Sequence, residues 1–464
     1  MKEAVRRRIR EHPLIPVILD LASIRNEQVF LVGGAIRDLA LGLEPRDLDF
    51  ATRRPFQTAR FFAERYEASL VPLGKDAVPT YRIPLPNVLL DWVGIEGGTI
   101  AKDLSLRDFT VNAIAYDPEK DDFHDPTGGF RDLKAGILRM AYSSSFDDDP
   151  LRVLKAYRMF SEFPSFKFDD VTAGALAIRC KSLSSSAPER IRSELERLFM
   201  GTRPGEACRH MADSGGLFVV FPELEELAGL KQNEYHHADA LDHSLEALLA
   251  MDGNPSWLSE LGLEPFSRKE LYIVRLSLLL HDLGKADTKS VGEDGRVHFY
   301  GHSKFSAEKA RTAMRRLRFS RADVNNVYDL CLNHLRPLAL VNTSPRKKAV
   351  RRLIHSMGDN LQPLLAIAYA DKLASRGREQ EENLSALKAL SREVMETLDS
   401  EGETIRSIPK LVDGLEAMKI LQMDRPGPAL GKALDYLLDR QVDGSVKTAE
   451  EARACLRQWG RKHL

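Results

Sequence analysis

The sequence predicts an α+β, multidomain protein: a small α/β head followed by a long helical body. Three observations carry this expectation. At 464 residues the chain exceeds one compact core, leaving room for about three domains of roughly 100 to 200 residues each. Residues 28 to 140 alternate short β-branched or apolar runs with turns, whereas from Pro150 to Leu464 the spacing becomes helical and hardly returns to strand.

In order along the head, Gln28–Val32, Asp47–Ala51, Val88–Val93 and Val111–Tyr116 read as strands, with one early helix over Ala35–Leu41. Pro150 sits where a first helical turn accepts proline. Leu276–Leu280 continues an apolar helix that Gly284 can end, and Pro428 to Gly431 starts another in the tail. Joints fall at Ser143–Ser145, Ser182–Ala187, around Gln232 and Asn233, and at Glu401–Glu403. The expected segments are 1–140, 141–230, 231–400 and 401–464.

The longest apolar stretch, Leu271–Leu280, is interrupted by Arg275, so no membrane span is expected. The N-terminus is basic (Lys2, Arg6, Arg7, Arg8, Arg10) but lacks the apolar core of a secretory signal. Cys180, Cys208, Cys331 and Cys455 are scattered and suggest neither a disulfide framework nor a zinc pair. They read as reduced thiols of a cytoplasmic protein. The formal charge of -1 gives no global pull on nucleic acid. Basic clusters at Arg6–Arg10, Arg311–Arg321 and Arg346–Arg352, and acidic ones at Asp121–Asp125 and Asp147–Asp149, are individually ordinary solvated faces.

The chemistry of the head is more specific. An apolar strand ends at Val32, Gly33-Gly34 turns the chain, and a helix opens with Arg37-Asp38; glycine amides at a helix start suit a phosphate. Asp47 and Asp49, two apart in a strand, leave one face and can hold hard cations through oxygen. Asp91 is the candidate for a third carboxylate on a neighbouring strand. Two magnesium ions on such a set could clamp an entering 3′-hydroxyl and a leaving pyrophosphate.

Leu31-Val-Gly-Gly-Ala-Ile-Arg-Asp38, Asp47-Leu-Asp49 and Leu106-Arg-Asp-Phe-Thr-Val-Asn-Ala113, in that order, resemble the polymerase-β-like head of class II tRNA nucleotidyltransferases, the CCA-adding enzymes and their poly(A) polymerase relatives. The resemblance implies that Asp47 and Asp49 are the catalytic Mg2+ ligands. It also implies that Gly33, Gly34, Arg37, Arg107 and Asp108 help bind the incoming CTP or ATP. Asp125-Pro-Thr-Gly-Gly-Phe-Arg-Asp-Leu133 resembles the segment joining head to neck.

Asp148-Asp149-Pro150-Leu151-Arg152 resembles the family's nucleotide-selecting motif, with Asp148 where Glu is usual and Lys155 where a second Arg is usual. Spacing of three places Asp149 and Arg152 on one helical face. Cytosine and adenine both present an exocyclic amine beside ring acceptors, which a carboxylate and a guanidinium can read. Guanine and uracil put a carbonyl there, costing about 1 to 3 kcal/mol in unpaired groups. Because lysine lacks a two-pronged contact, triphosphate binding is assigned to Arg158, on the basic row Arg152, Lys155, Arg158. Pro188-Glu-Arg-Ile-Arg-Ser-Glu-Leu195 resembles a helix that braces the neck.

Downstream, Tyr235-His236-His237, His243, His281-Asp282-Leu-Gly-Lys285, His302, His334 and Asp371 lie in a helical region. His243, His281, Asp282 and Asp371, the last within Ala368-Tyr-Ala-Asp-Lys-Leu-Ala-Ser-Arg-Gly377, resemble the HD metal set; His302 and His334 would complete a second metal position. A divalent transition metal or magnesium there would hydrolyse phosphomonoesters or 2′,3′-cyclic phosphates. Arg425-Pro-Gly-Pro-Ala-Leu-Gly-Lys432 looks like the family's RNA-binding tail, so the resemblance implies tRNA as partner, held by shape and backbone.

The segment from Trp92 to Leu106 is shorter than the loop expected of an enzyme that completes all three additions. A CC-adding or A-adding enzyme is therefore an alternative, as are a poly(A) polymerase and a protein acting mainly as an HD phosphohydrolase or RNA binder. Oligomeric state is left open by the sequence.

Overall fold

The computed structural model describes every residue except 74–78, 233–238, 254, 294, 344–345 and 376–379. Tyr235, His236 and His237 therefore lie outside the described residues. Two compact units divide the chain: Met1–Glu194 with His210–Val220, and Leu195–Arg209 with Phe221–Leu464.

The first unit is built on a seven-stranded mixed sheet: β1 (Val29–Val32), β2 (Asp47–Thr52), β3 (Val71–Leu73), β4 (Thr80–Pro84), β5 (Leu89–Gly94), β6 (Ala115–Asp117) and β7 (Asp122–His124). Their spatial order is β3-β4-β5-β2-β1-β6-β7. Only β2 and β5 run parallel; the other neighbours are antiparallel. Alternation along β2 gives each face its layer. Leu48 and Phe50 point one way, where Phe50 stacks on Trp92 (4.9 Å) and Trp92 on Phe62 of the helix Pro55–Arg65 (4.8 Å). On the other face Phe30, Val32 and Ala51 pack with Ile100 and Leu104 of the helix Ile100–Ser105.

The expected strand Val111–Tyr116 is a correction. Thr110–Asn112 forms a 3-10 turn and only Ala115–Asp117 is strand. Long-range bonds override the β-branched signal: the Thr110 amide donates to the Arg139 carbonyl (2.9 Å) and its hydroxyl to Asp132 (2.8 Å). After the sheet the chain continues in the helices Leu151–Glu162, Asp170–Arg179 and Pro188–Phe199.

The second unit is helical apart from a two-stranded ribbon, Ser290–Val291 with Val297–His298. Its central helix, Arg268–Leu280, begins with a capping box between Ser267 and Glu270. Arg275, which breaks the apolar run in the sequence, is buried to 1% exposure. Its guanidinium donates to the carbonyls of Phe199 and Gly201 (2.8 Å each), Met251 (2.9 and 3.1 Å) and Gly253 (3.1 Å). An otherwise costly buried charge is thereby fully hydrogen-bonded. The tail has its own core, in which Leu421, Leu430, Leu437, Leu456 and Trp459 gather from Gly414–Ile420, Pro428–Val442, Ala449–His463 and their connections.

No helix among the described residues is long and apolar enough to cross a membrane.

Candidate active site and metal centre

The β2 alternation sets Asp47 and Asp49 on one face, and the parallel register lays Asp91 of β5 directly beside Asp49. Across the next strand pair Asp91 faces Arg82 of β4. Arg82 grips Asp91 with both prongs, Nε to Oδ1 at 2.8 Å and a terminal nitrogen to Oδ2 at 2.6 Å. Burial pushes the Asp49 carboxyl up to about 6, against the pull of Arg107 and with the push of Asp91 and Asp47. Three oxygen donors crowded onto two neighbouring strands fit hard divalent cations, which relieve that repulsion.

Gly33 turns the chain at φ 70°, and a methyl group there would stand 2.7 Å from an Arg107 nitrogen and 3.4 Å from Asp49 Oδ2. Glycine is what lets Arg107 approach the carboxylates. Arg107 is steadied by Asp103 (3.2 Å). Gly34 opens the helix Gly34–Ala40.

Asp108 is buried at the next position. Burial alone would raise its carboxyl, but Lys155, Asn112 and Arg152 outweigh burial and hold it well below the usual range. It accepts from Asn112 (2.9 Å) and from the Phe109 amide (2.7 Å) and is ion-paired with Lys155.

Three neck and helix residues stand differently from expectation. Arg37 is buried, donating to Asp38 (2.7 and 2.9 Å) and Asn112 (2.7 Å) under the Phe163 ring, so it braces Asn112 instead of facing a ligand. Asp149 lies in extended backbone before the helix Leu151–Glu162, so it shares no helical face with Arg152. It pairs with Arg190 (2.8 Å), while Arg152 donates to Tyr142 (2.9 Å) and Ser145 (3.0 Å). Arg158 is 2% exposed and ion-paired with Glu162 and Glu194 (2.6 Å to the latter). It is a core residue, whereas Lys155 of the same helix is ion-paired with Asp108.

In the second unit, His243, His281, Asp282, His302, His334 and Asp371 converge from separate helices and their ends. Asp239 caps Ala240–Leu249, which carries His243; Arg268–Leu280 ends at His281; His302 opens His302–Arg316; His334 closes Arg321–Asn333; Asp371 lies in Leu361–Ala374. His243 Nε2 lies 2.9 Å from Asp371, and His281 and His302 Nε2 lie 3.3 and 3.2 Å from Asp282. Two overlapping trios, His243–His281–Asp371 and His281–Asp282–His334, keep their ligand atoms within 4.8 Å.

The imidazoles are held from behind. His281, His302 and His334 each donate Nδ1–H to a carbonyl three residues earlier, at 2.8, 2.8 and 2.7 Å, which aims Nε2 into the cluster. His281 Nε2 is buried with no hydrogen-bond partner. Burial and the neighbouring His281 push His334 down to about 3, leaving it in the neutral form that ligates. This donor set fits a divalent metal.

The motifs missed several residues. Lys285 Nζ sits 2.5 Å from Asp282 and donates to Gln232 (2.6 Å), and both line the same cleft as His302 and His334. Arg82 and Asn112 also went unmarked. Lys285 lay inside the quoted motif and Arg82 opposite Asp91 in alternating strands, so their signals were present.

Comparison with known proteins follows the same division. Residues 29–139 match the "Poly A polymerase head domain", 165–227 the "Probable RNA and SrmB-binding site of polymerase A", and 242–376 the "HD domain". The chain is 33% identical over 451 residues to a CC-adding tRNA nucleotidyltransferase of Thermus thermophilus, covering 95% of this chain and 96% of that one. It is 32% identical over 437 residues to an A-adding tRNA nucleotidyltransferase of Deinococcus radiodurans, covering 92% and 95%. The CTP complex of the Bacillus stearothermophilus CCA-adding enzyme shares the fold, with a TM-score of 0.62, 22% identity and 96% coverage of each chain.

Proposed function

The chain belongs to the tRNA nucleotidyltransferase and poly(A) polymerase family, and on that premise we propose that it adds CMP and AMP, from CTP and ATP, to the 3′ end of tRNA. The observation that carries this reading is the register of Asp47, Asp49 and Asp91 on adjacent parallel strands, with Arg107 near Asp49.

Asp47, Asp49 and Asp91 would hold two Mg2+ ions. Bound there, the ions lower the pKa of the entering 3′-hydroxyl and offset charge on the departing pyrophosphate. Arg107, fixed by Asp103, offers its outer guanidinium face to the phosphates, and Lys155 adds charge beside Asp108. Asp149, held by Arg190 and the Leu151 amide, and Arg152, held by Tyr142, Ser145 and the Leu106 carbonyl, are fixed in place as a carboxylate and a guanidinium for a base edge. Cytosine and adenine satisfy that pair; uracil and guanine leave acceptors facing a carboxylate, at about 1 to 3 kcal/mol.

Partial addition is the second reading, and one observation favours it. The connection after β5 is compact: Glu96–Gly98 turns, and Thr99 caps Ile100–Ser105. Asp103 accepts from the Glu96 amide at 3.1 Å and binds Arg107, so the segment is pinned at both ends. Such a tether supports an enzyme restricted to CC or to A.

The second unit's donor set supports a phosphohydrolase using a divalent metal, and the start of the tail helix Pro428–Val442, with Lys432 in its first turns, supports contact with an RNA phosphate. Four unpaired cysteines, three of them buried, support a cytoplasmic setting.

The test incubates protein and magnesium with tRNA transcripts ending before CCA, after C and after CC, with CTP, ATP or both. Completion from every start is expected of a full CCA-adding enzyme. Arrest after CC, or a single A on the CC-ended transcript alone, establishes the partial reading. Long A tails or no extension would overturn both.

A further inference from the structure

We propose that Arg82 is a nucleotide-binding residue that stands in for a cation at Asp91 and moves to the triphosphate when divalent cations and nucleotide enter. The inference rests on the reading of Asp47, Asp49 and Asp91 as cation ligands.

Three observations carry it. Arg82, Asp91 and Asp49 lie side by side across β4, β5 and β2, so one row of the sheet reads cation, anion, anion. The guanidinium engages both oxygens of Asp91, at 2.8 and 2.6 Å, so a cation binding there meets a positive charge already on each oxygen. Asp91 is buried, but the Arg82 side chain retains 34% exposure, so the fork has a solvent side to move towards. Its charge also reaches Asp47 and Asp49.

A dication and a guanidinium cannot share one carboxylate without strong repulsion. Cation entry therefore expels the fork, and a triphosphate arriving with the cations offers it paired oxygens of matching geometry. The guanidinium would thus pass from carboxylate to phosphate with no bond made or broken.

The test is a pair of equilibrium titrations on the full chain, Mn2+ without nucleotide and CTP at saturating Mn2+, comparing wild type with Arg82→Gln and Arg82→Lys. The double variant Asp47→Asn, Asp49→Asn identifies which Mn2+ isotherm belongs to the head. Arg82→Gln is expected to tighten Mn2+ at the head severalfold and to weaken CTP about tenfold, with Arg82→Lys between it and wild type. A residue that merely positions Asp91 would weaken Mn2+ and CTP together, and that result overturns the proposal. Unchanged CTP binding overturns it too. If the double variant removes no Mn2+ isotherm, the carboxylate reading itself fails and the inference with it.

Discussion

At the scale of single residues, Arg158 is the most informative case. The row Arg152, Lys155, Arg158 looks like one face, yet each three-residue step falls short of a full helical turn by about 60°, so Arg158 lies about 120° round from Arg152. That rotation carries it to Glu162 on its own helix and Glu194 on Pro188–Phe199. Arg158→Ala takes a buried cation from two half-buried carboxylates and is expected to cost about 2 to 4 kcal/mol. Denaturant midpoints should fall while the KM for CTP in the folded fraction is unchanged; a raised KM with full stability would return Arg158 to the nucleotide. The chemistry-bearing types were legible from sequence, because Asp47, Asp49, His281 and Asp282 have neighbours that make chance agreement remote. What could not be read was which charge a fold spends internally. Arg37 and Arg158 look like free cations until Asp38, Asn112, Glu162 and Glu194 are seen beside them.

At the scale of elements, strands with clean alternation were legible and the irregular ones were not. β2 announces itself by Asp-Leu-Asp-Phe, whereas Thr110–Asn112 is shaped by partners more than twenty residues away. The helices bearing His243, His281 and Asp371 were legible as helices, but their convergence depends on close packing that sequence spacing does not encode. Gly284 is the clearest instance. A Cβ there would lie 2.4 Å from the His302 carbonyl and 2.6 Å from the Phe305 Cβ and the Ser306 amide. Its role is therefore close approach of two helices more than helix termination. Gly284→Ala is expected to push His302–Arg316 away from Asp282 and lower metal affinity at this cluster about 10- to 100-fold. Elemental analysis after dialysis checks this, with helicity by circular dichroism expected to stay near wild type; full metal retention would refute the packing argument.

At the scale of the whole molecule, two donor sets of different chemistry occur in two compact units: hard carboxylate oxygens in the first, imidazoles with carboxylates in the second. Separate sites predict separable losses. Asp47→Ala or Asp49→Ala is expected to abolish nucleotide addition, lowering it by more than about a hundredfold, and to spare phosphohydrolysis; His281→Ala with Asp282→Ala is expected to do the reverse. Parallel assays of both variants check this, and joint loss from either one would count against independent sites. The units are nonetheless interleaved in sequence, since Leu195–Arg209 belongs to the second and His210–Val220 to the first. Arg275 gives that interleaving a temporal meaning. It supplies the donors for the carbonyls of Phe199 and Gly201. During synthesis those carbonyls emerge from the ribosome some seventy-five residues before their partner, so until Arg275 follows their hydrogen bonds go to water.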